Sequence, residues 1–319
     1  MIDREEHAAV PIPVVLDCDP GHDDAFALWL AAGNPALELL GITTVGGNGR
    51  LSQTTYNARV VATVAGIHGV PLAAGADKPL TRALTTAPHI HGSSALDGPV
   101  LPEPQVEVDP RGAVGLLREL ITASAEPVTI LATGPLTNIA LLAGVHPEVL
   151  GNVADIVWMG GSTGRGNVTP YAEFNSWVDP EAVAVVLDSA PPLTMVGLNV
   201  THQALATAEL LDRLAEVGNA TSAFGVELLR FYTASYQAAQ GMAAPPLHDP
   251  VAVALVARPE LVDTVHARLD VEVHGTETAG ATSVVLHGRP SRPANARVAV
   301  QLDVAGFWDE VEAAIRVLR

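Results

Sequence analysis

The sequence predicts an α/β protein: a single domain on a mostly parallel central sheet flanked by helices, with a late extension of strands and a closing helix. Two observations carry that prediction. Short β-branched runs that are apolar on both faces recur along the chain, as strands of a covered parallel sheet require. Amphipathic stretches of helical period separate them, which is the alternation of βαβ units.

The elements follow in order. "PVVLD" at 13–17 reads as the first strand, and the chain turns at Pro20-Gly21 into a helix near Asp23-Asp24. "LLGITTV" (39–45), "PVTILA" (127–132), "ADIVWMG" (154–160) and "PLTMVG" (192–197) read as further buried strands. Helical patterns cover 51–66, 112–125, 137–144 and 180–188, then two longer stretches, 207–217 and 221–239. Strands near 266–274, 281–287 and 297–302 precede a last helix that starts near Val304. Residues 1–12 form a polar N-terminal extension, and 13–319 form one domain without repeats or low-complexity linkers. Three segments, 81–104, 160–176 and 240–248, are long and poor in pattern, as lids and binding loops are.

Composition narrows the function classes. Of 319 residues 48% are hydrophobic and only 16% charged, enough to bury a sizeable core and too little charge for disorder. A formal net charge of −18 argues against a nucleic-acid partner. No apolar run reaches the ~18 residues of a membrane span, and the first residues resemble no signal peptide. The expectation is a cytoplasmic protein with no membrane partner. Cys18 is the only cysteine, and its place in an apolar run marks it as a buried small hydrophobe.

An open sheet of this class carries its chemistry outside the carboxyl ends of its strands. "VVLDCDPGHDDAFAL" at 14–28 places Asp17, Asp19, Asp23 and Asp24 at such an end. Burying unpaired carboxylates together is costly. No Lys or Arg lies between Val14 and Asn48, which leaves protonation, a distant base or a metal. A hard cation such as calcium suits carboxylate ligands. Capping at a helix N-terminus accounts for Asp23 or Asp24, but not for Asp17 and Asp19 on the strand side. An EF-hand fails on spacing, since its sixth and twelfth places would hold His22 and Leu28. A phosphatase of the haloacid-dehalogenase type would follow Asp-x-Asp with Thr or Val, and would want a late lysine. Here Pro20-Gly21 follow and Lys78 is the only lysine.

"DCDPGHDDAFAL" resembles the opening signature of the nucleoside hydrolases of the inosine–uridine-preferring type. The chain agrees in order with four further blocks of that family: "ITTVGGN" (42–48), "ATGPLTNIA" (132–140), "VWMGG…GN…AEFNSWVDPEA" (157–182) and "PLHDPVAVA" (246–254). Five blocks in register, spanning nearly the whole chain after Pro13, make the resemblance highly specific.

The resemblance implies a calcium ion held by Asp19, Asp24, Asp249 and the backbone carbonyl of Thr133, with Asp17 orienting the cluster from behind. It implies cleavage of the N-glycosidic bond of ribonucleosides, with Asp19 as general base toward a water held at the ion and His248 as general acid to the departing base. A histidine titrating near neutrality suits that second role. Ribose would lie on Asp23, Asn48, Met159, Asn167, Glu173 and Asn175. The base would lie among Ile90, His91, Phe174, Tyr232 and Tyr236, the two tyrosines sharing a helical face at i, i+4; a core stripe is the competing reading of that pair. Ser93 and Ala95 stand where many members carry an acidic residue and a glycine. His22 falls at a variable place of the signature and carries no assigned role. The family also implies a homotetramer or homodimer, and the absence of a Walker-type loop agrees with a nucleoside rather than a nucleotide. A non-catalytic nucleoside- or calcium-binding protein on the same fold is the competitor from a different class.

Overall fold

A computed structural model describes residues 10–189, 191–288 and 290–319; most of the expected N-terminal extension, residues 1–9, lies outside them. The first strand, β1 (Ile12–Cys18), starts at the last residue of that extension and is buried from Pro13 onward. It leads through Pro20-Gly21 into α1 (His22–Gly33). Then come β2 (Leu37–Thr44), α2 (Leu51–Val64), β3 (Leu72–Ala74), α3 (Pro88–His91), α4 (Gly112–Ala123) and β4 (Val128–Ala132). The chain continues through α5 (Thr137–Val145), β5 (Val153–Met159), α6 (Phe174–Val178), α7 (Pro180–Leu187) and β6 (Leu193–Val196). The late part holds α8 (Leu198–Thr201), α9 (Ala208–Val217), α10 (Ala220–Gln240), α11 (Asp249–Ala257), β7 (Val262–Val271), β8 (Thr282–Val285), β9 (Ala296–Leu302) and α12 (Val304–Val317).

The strands form one nine-stranded sheet in the order β3-β2-β1-β4-β5-β6-β9-β7-β8. From β3 to β9 every neighbouring pair is parallel. The β9–β7 and β7–β8 pairs are antiparallel, and they are the late extension. Alternation along β1 sorts its side chains into two cores. Val14, Leu16 and Cys18 join the core shared with α1, α10, α11 and α12. Val15 joins the core under α4, α5 and α7. Helices on both faces explain why β4 and β6 are buried throughout and read as unbroken apolar runs.

The strand order reverses direction between β1 and β4. In a doubly wound sheet that reversal opens a crevice at the carboxyl ends of the two strands, and ligands bind there. The register makes the location specific: Asp17 pairs with Ala132, and the Thr133 N–H donates to the Asp17 carbonyl at 2.8 Å. Asp19 and Thr133 therefore leave the sheet side by side.

The sequence pattern missed several elements. β3 has three residues, too few for a period to show. α11 is buried at every position, so it has no polar face to give a helical period. The segments expected as loops contain the single turns α3 and α6. Trp29 and Trp158 are fully buried in the two cores.

Candidate active site and metal centre

Five chain segments meet at the crevice. The β1–α1 turn supplies Asp19, Asp23 and Asp24, the β2 end supplies Asn48, and the β4 end supplies Thr133. The β5–α6 segment supplies Met159, Asn167, Glu173 and Asn175, and the start of α11 supplies His248 and Asp249. Asp24 is both a capping residue and a member of the cluster. Its carboxylate accepts the N–H of Gly21 at 2.9 Å and of Asp19 at 3.3 Å, closing the first turn of α1. The same carboxylate accepts the Thr133 hydroxyl at 2.9 Å and the Asn48 amide at 3.3 Å. The capping and cluster readings of this aspartate are thus not alternatives.

Asp19 is fixed through one oxygen only. The Asn48 N–H donates to Oδ2 at 2.6 Å, while Oδ1 is buried without a hydrogen-bond partner. Gly47 makes this approach possible, because a Cβ there would stand 2.0 Å from Asp19 Oδ2. Carboxylate oxygens of Asp23, Asp24 and Asp249 lie within 4.8 Å of one another. The tightest trio therefore includes Asp23 in place of Asp19, with Asp19 hydrogen-bonded to Asp24 at its margin. The Thr133 carbonyl faces the same crevice and accepts the Asn175 amide at 2.8 Å.

Among the described residues no arginine or lysine pairs with any of these carboxylates. Burial, and after it the neighbouring aspartates, hold Asp19 and Asp249 well above the usual carboxylate range. Burial raises Asp24 and pushes Asp23 up to about 7. Four buried acids with an orphaned oxygen and a backbone carbonyl form a donor set of hard oxygens. They fit a divalent cation, which would relieve the repulsion that otherwise forces protons onto them.

Asp17 lies behind the cluster. Thr43, its register partner on β2, donates to Oδ1 at 2.5 Å, and Asn138 donates to the same oxygen at 2.7 Å. Burial pushes Asp17 up to about 7 against these two hydrogen bonds. Sequence reasoning gave no role to Thr43 or Asn138. Asn138 stood in a quoted block, but the use of Thr43 depends on strand order, which the sequence does not display.

Every residue expected to hold sugar or base lines one cavity, together with Thr133, His248 and Asp249. Asp17, Asp19 and Asp24 do not reach its wall. Ala87, His89, Val168 and Gln240 do; "HIHG" at 89–92 resembles a family loop but gave His89 no role, and the motifs did not reach the other three. Protein contacts engage one end of each of the three asparagine amides in the wall. Asn48 and Asn175 spend their Nδ2 groups, and Asn167 its Oδ1 on the Phe174 N–H at 2.9 Å. Oδ1 of Asn48, Nδ2 of Asn167 and Oδ1 of Asn175 remain for a ligand. Glu173 caps α6 by accepting the N–H groups of Asn175 and Ser176, and also that of Gly161; burial still holds it up at about 7.

Tyr232 and Tyr236 are buried on one face of α10 and turn to the cavity, so the stripe is also a pocket wall. The Tyr236 hydroxyl lies 2.9 Å from His248 Nε2, and the Thr201 hydroxyl lies 2.7 Å from Nδ1. Burial lowers His248 to about 3. With both ring nitrogens on hydroxyls and the His202 ring 5.5 Å away, this buried imidazole is held below the near-neutral range expected for its role.

A doubly wound sheet whose switch point carries a buried acidic centre beside a polar, aromatic cavity defines a class of small-molecule hydrolase. The family model described as inosine-uridine preferring nucleoside hydrolase matches residues 14–309, and the chain belongs to that family. It is 46% identical over 302 residues to the inosine-uridine preferring nucleoside hydrolase of Crithidia fasciculata, covering 94% of this chain and 96% of that one. It is 42% identical over 298 residues to the pyrimidine-specific ribonucleoside hydrolase RihA of Photobacterium profundum, covering 93% and 96%. Among solved structures, the purine-preferring ribonucleoside hydrolase from Gardnerella vaginalis superposes with a TM-score of 0.88 at 30% identity, covering 95% of this chain and 98% of that one. The enzyme class is N-glycosidase acting on ribonucleosides.

Proposed function

We propose that the protein hydrolyses the N-glycosidic bond of purine or pyrimidine ribonucleosides with the help of one calcium ion, giving ribose and free base. The observation that carries the proposal is the orphaned, buried Oδ1 of Asp19 beside the Asp23–Asp24–Asp249 trio. Asp19, Asp24, Asp249 and the Thr133 carbonyl are the residues we assign to the ion, with Asp23 shared between ion and sugar. Once bound, a dication there lowers the pKa of water and so supplies a nucleophile at neutral pH.

The chain's own residues do the rest. Asp19, restrained by Asn48 through Oδ2, keeps Oδ1 as the atom that takes the water's proton. Ribose offers hydroxyls that both donate and accept. Asp23 and Glu173 match them with carboxylates, Asn48 and Asn175 with free carbonyls, and Asn167 with a free amide. Met159 packs beneath the sugar, and Ile90, His91, Phe174, Tyr232 and Tyr236 enclose the base. As the bond breaks, negative charge collects on the base and positive character on the sugar. That negative charge raises the pKa of a neighbouring imidazole. His248 thus becomes an acid as the base departs, although burial favours its neutral form beforehand.

No helix among the described residues is long and apolar enough to cross a membrane. The reading carries a cytoplasmic location and a homodimer or homotetramer, the latter checked by particle mass in solution. The relatives differ in the base they are named for, so the base preference of this chain is left to measurement. The test is ribose release from a panel of purine and pyrimidine nucleosides, with and without a calcium chelator. Chelator-sensitive release supports reaction and ion together. Release unaffected by chelation overturns the ion, and no release with calcium present overturns the reaction.

A further inference from the structure

The segment that leads into α11 and carries His248 is zipped to the turn that follows α8. The Leu247 N–H donates to the Ala204 carbonyl at 2.9 Å, and the Ala206 N–H donates to the Pro245 carbonyl at 2.9 Å. Leu205 and Pro246 pair between them as an antiparallel bridge. Thr201, the last residue of α8, and His248 are thus carried on one backbone frame. α8 is tied in turn to the end of β5, because the Leu198 N–H donates to the Gly161 carbonyl at 3.0 Å.

Thr201 is fully buried. A threonine in a helix commonly turns its hydroxyl back to a carbonyl of the preceding turn. Thr63, Thr122 and Thr233 do so, each donating at 2.7 Å to the carbonyl four residues earlier. Thr201 departs from this habit. The Gly197 carbonyl, four residues before it, accepts only its backbone N–H, at 3.1 Å. The hydroxyl instead lies 2.7 Å from His248 Nδ1, its one partner among the described residues.

An imidazole turns about a broad torsion at its root, and both of its ends are polar. The Nε2 end of His248 lies 2.9 Å from the Tyr236 hydroxyl, and Tyr236 lines the cavity. The His202 ring flanks His248 at 5.5 Å, tilted by 55°. Thr201 stands behind the wall and ties the other end of the ring. An apolar group in its place would leave Nδ1 buried without a partner, a cost that exceeds the net worth of the bond. Turning the ring relieves that cost and takes Nε2 off the cavity.

We propose that Thr201 is a positioning residue for protonation of the departing base: its hydroxyl holds the His248 ring with Nε2 turned to the cavity. The inference deepens the hydrolase reading and rests on the acid role given there to His248. It separates two kinds of substrate, since a leaving group that needs no proton gains nothing from an aligned ring.

The experiment measures turnover of uridine, inosine and p-nitrophenyl riboside by the unmodified protein, Thr201→Val and Thr201→Ser. Valine keeps the shape of the side chain and removes the hydroxyl, whereas serine keeps the hydroxyl. The valine variant should lose on the order of tenfold in kcat on uridine and inosine, the size of one lost hydrogen bond, with KM within about twofold. Its turnover of p-nitrophenyl riboside should stay close to that of the unmodified protein, and serine should recover most of the loss on the nucleosides. Combined with His248→Ala, the valine should cost nothing further, because a residue that acts only through another is silent without it. An unchanged rate on the nucleosides overturns the proposal, as does an equal fall on all three substrates. A serine no better than valine, or a full further loss beside His248→Ala, overturns it as well. A crystal structure of the valine variant reads the same claim without turnover. The His248 ring is expected turned away from the Tyr236 hydroxyl, and an unmoved ring overturns the proposal. Should the valine variant fail to fold, Thr201→Ala takes its place in both measurements. Absence of ribose release from the unmodified protein overturns the hydrolase reading separately.

Discussion

At the scale of single residues, the account assigns distinct duties to neighbouring carboxylates. Both Asp19 and Asp17 have one restrained and one unpartnered carboxylate oxygen, but Asp19 is held by Asn48 beside the acidic trio whereas the Asp17 carboxylate is held by Thr43 and Asn138 behind it. Asp19→Ala or Asp249→Ala should reduce ribose release on the order of a thousandfold, the scale of a lost general base; near-normal turnover in either would remove the metal assignment. His248→Ala should impair nucleosides with poor leaving groups more than p-nitrophenyl riboside, whose leaving group needs no proton. Equal losses on both substrates would count against the acid role. Ala95 shows a different effect. It sits at φ 64, in the left-handed region, where the family pattern has glycine. A side chain in that region costs roughly 1–2 kcal/mol, partly offset by the extra unfolded-state freedom of glycine. Ala95→Gly should therefore raise the unfolding temperature slightly, and a fall would show that the turn is held by packing on Ala95.

Among the elements, the ends of strands and the first turn of α1 decide the geometry. The β2 end brings Gly47 against Asp19 so closely that any side chain must displace the carboxylate. Gly47→Ala should keep the fold and lower kcat/KM by about a hundredfold, as a displacement near 1 Å can; circular dichroism and ribose release separate the two effects, and full activity would refute the assigned pose of Asp19. Much of this level was legible in the sequence. "DCDPGHDD" announced a strand, a turn and a charged helix start, and the blocks after the later strands fell where the sheet places them. What escaped had physical reasons. α11 is apolar all round and β3 is only three residues long. Thr43 and Thr201 act through neighbours that only the folded sheet and the α8 turn bring to them. His22 had no role in any motif because its partners, His91, Asp97 and Phe231, are distant in the chain.

For the molecule as a whole, the buried acids couple stability to pH and to the ion. Asp17, Asp23 and Glu173 are pushed up to about 7 from ordinary values of 3.8 and 4.5. Between roughly pH 4 and pH 7 the folded chain binds more of these protons than the unfolded one, so this contribution to stability falls as pH rises. Buried His22 and His248 run the other way, being held neutral at about 4 and about 3 against 6.5; their contribution is lost as pH falls below about 6.5. A cation needs the carboxylates ionised and adds stability by mass action. Calcium should therefore raise the unfolding temperature more at about pH 8 than at about pH 6, and an equal increment at both would argue that the acidic centre is not its site.

The most direct test of the central claim is a calcium titration of chelated, dialysed protein, with bound ion and ribose release recorded on the same samples. The account predicts one tightly bound calcium per chain and activity that rises in step with it. Full turnover in the metal-free protein would contradict it, as would calcium binding that leaves turnover unchanged.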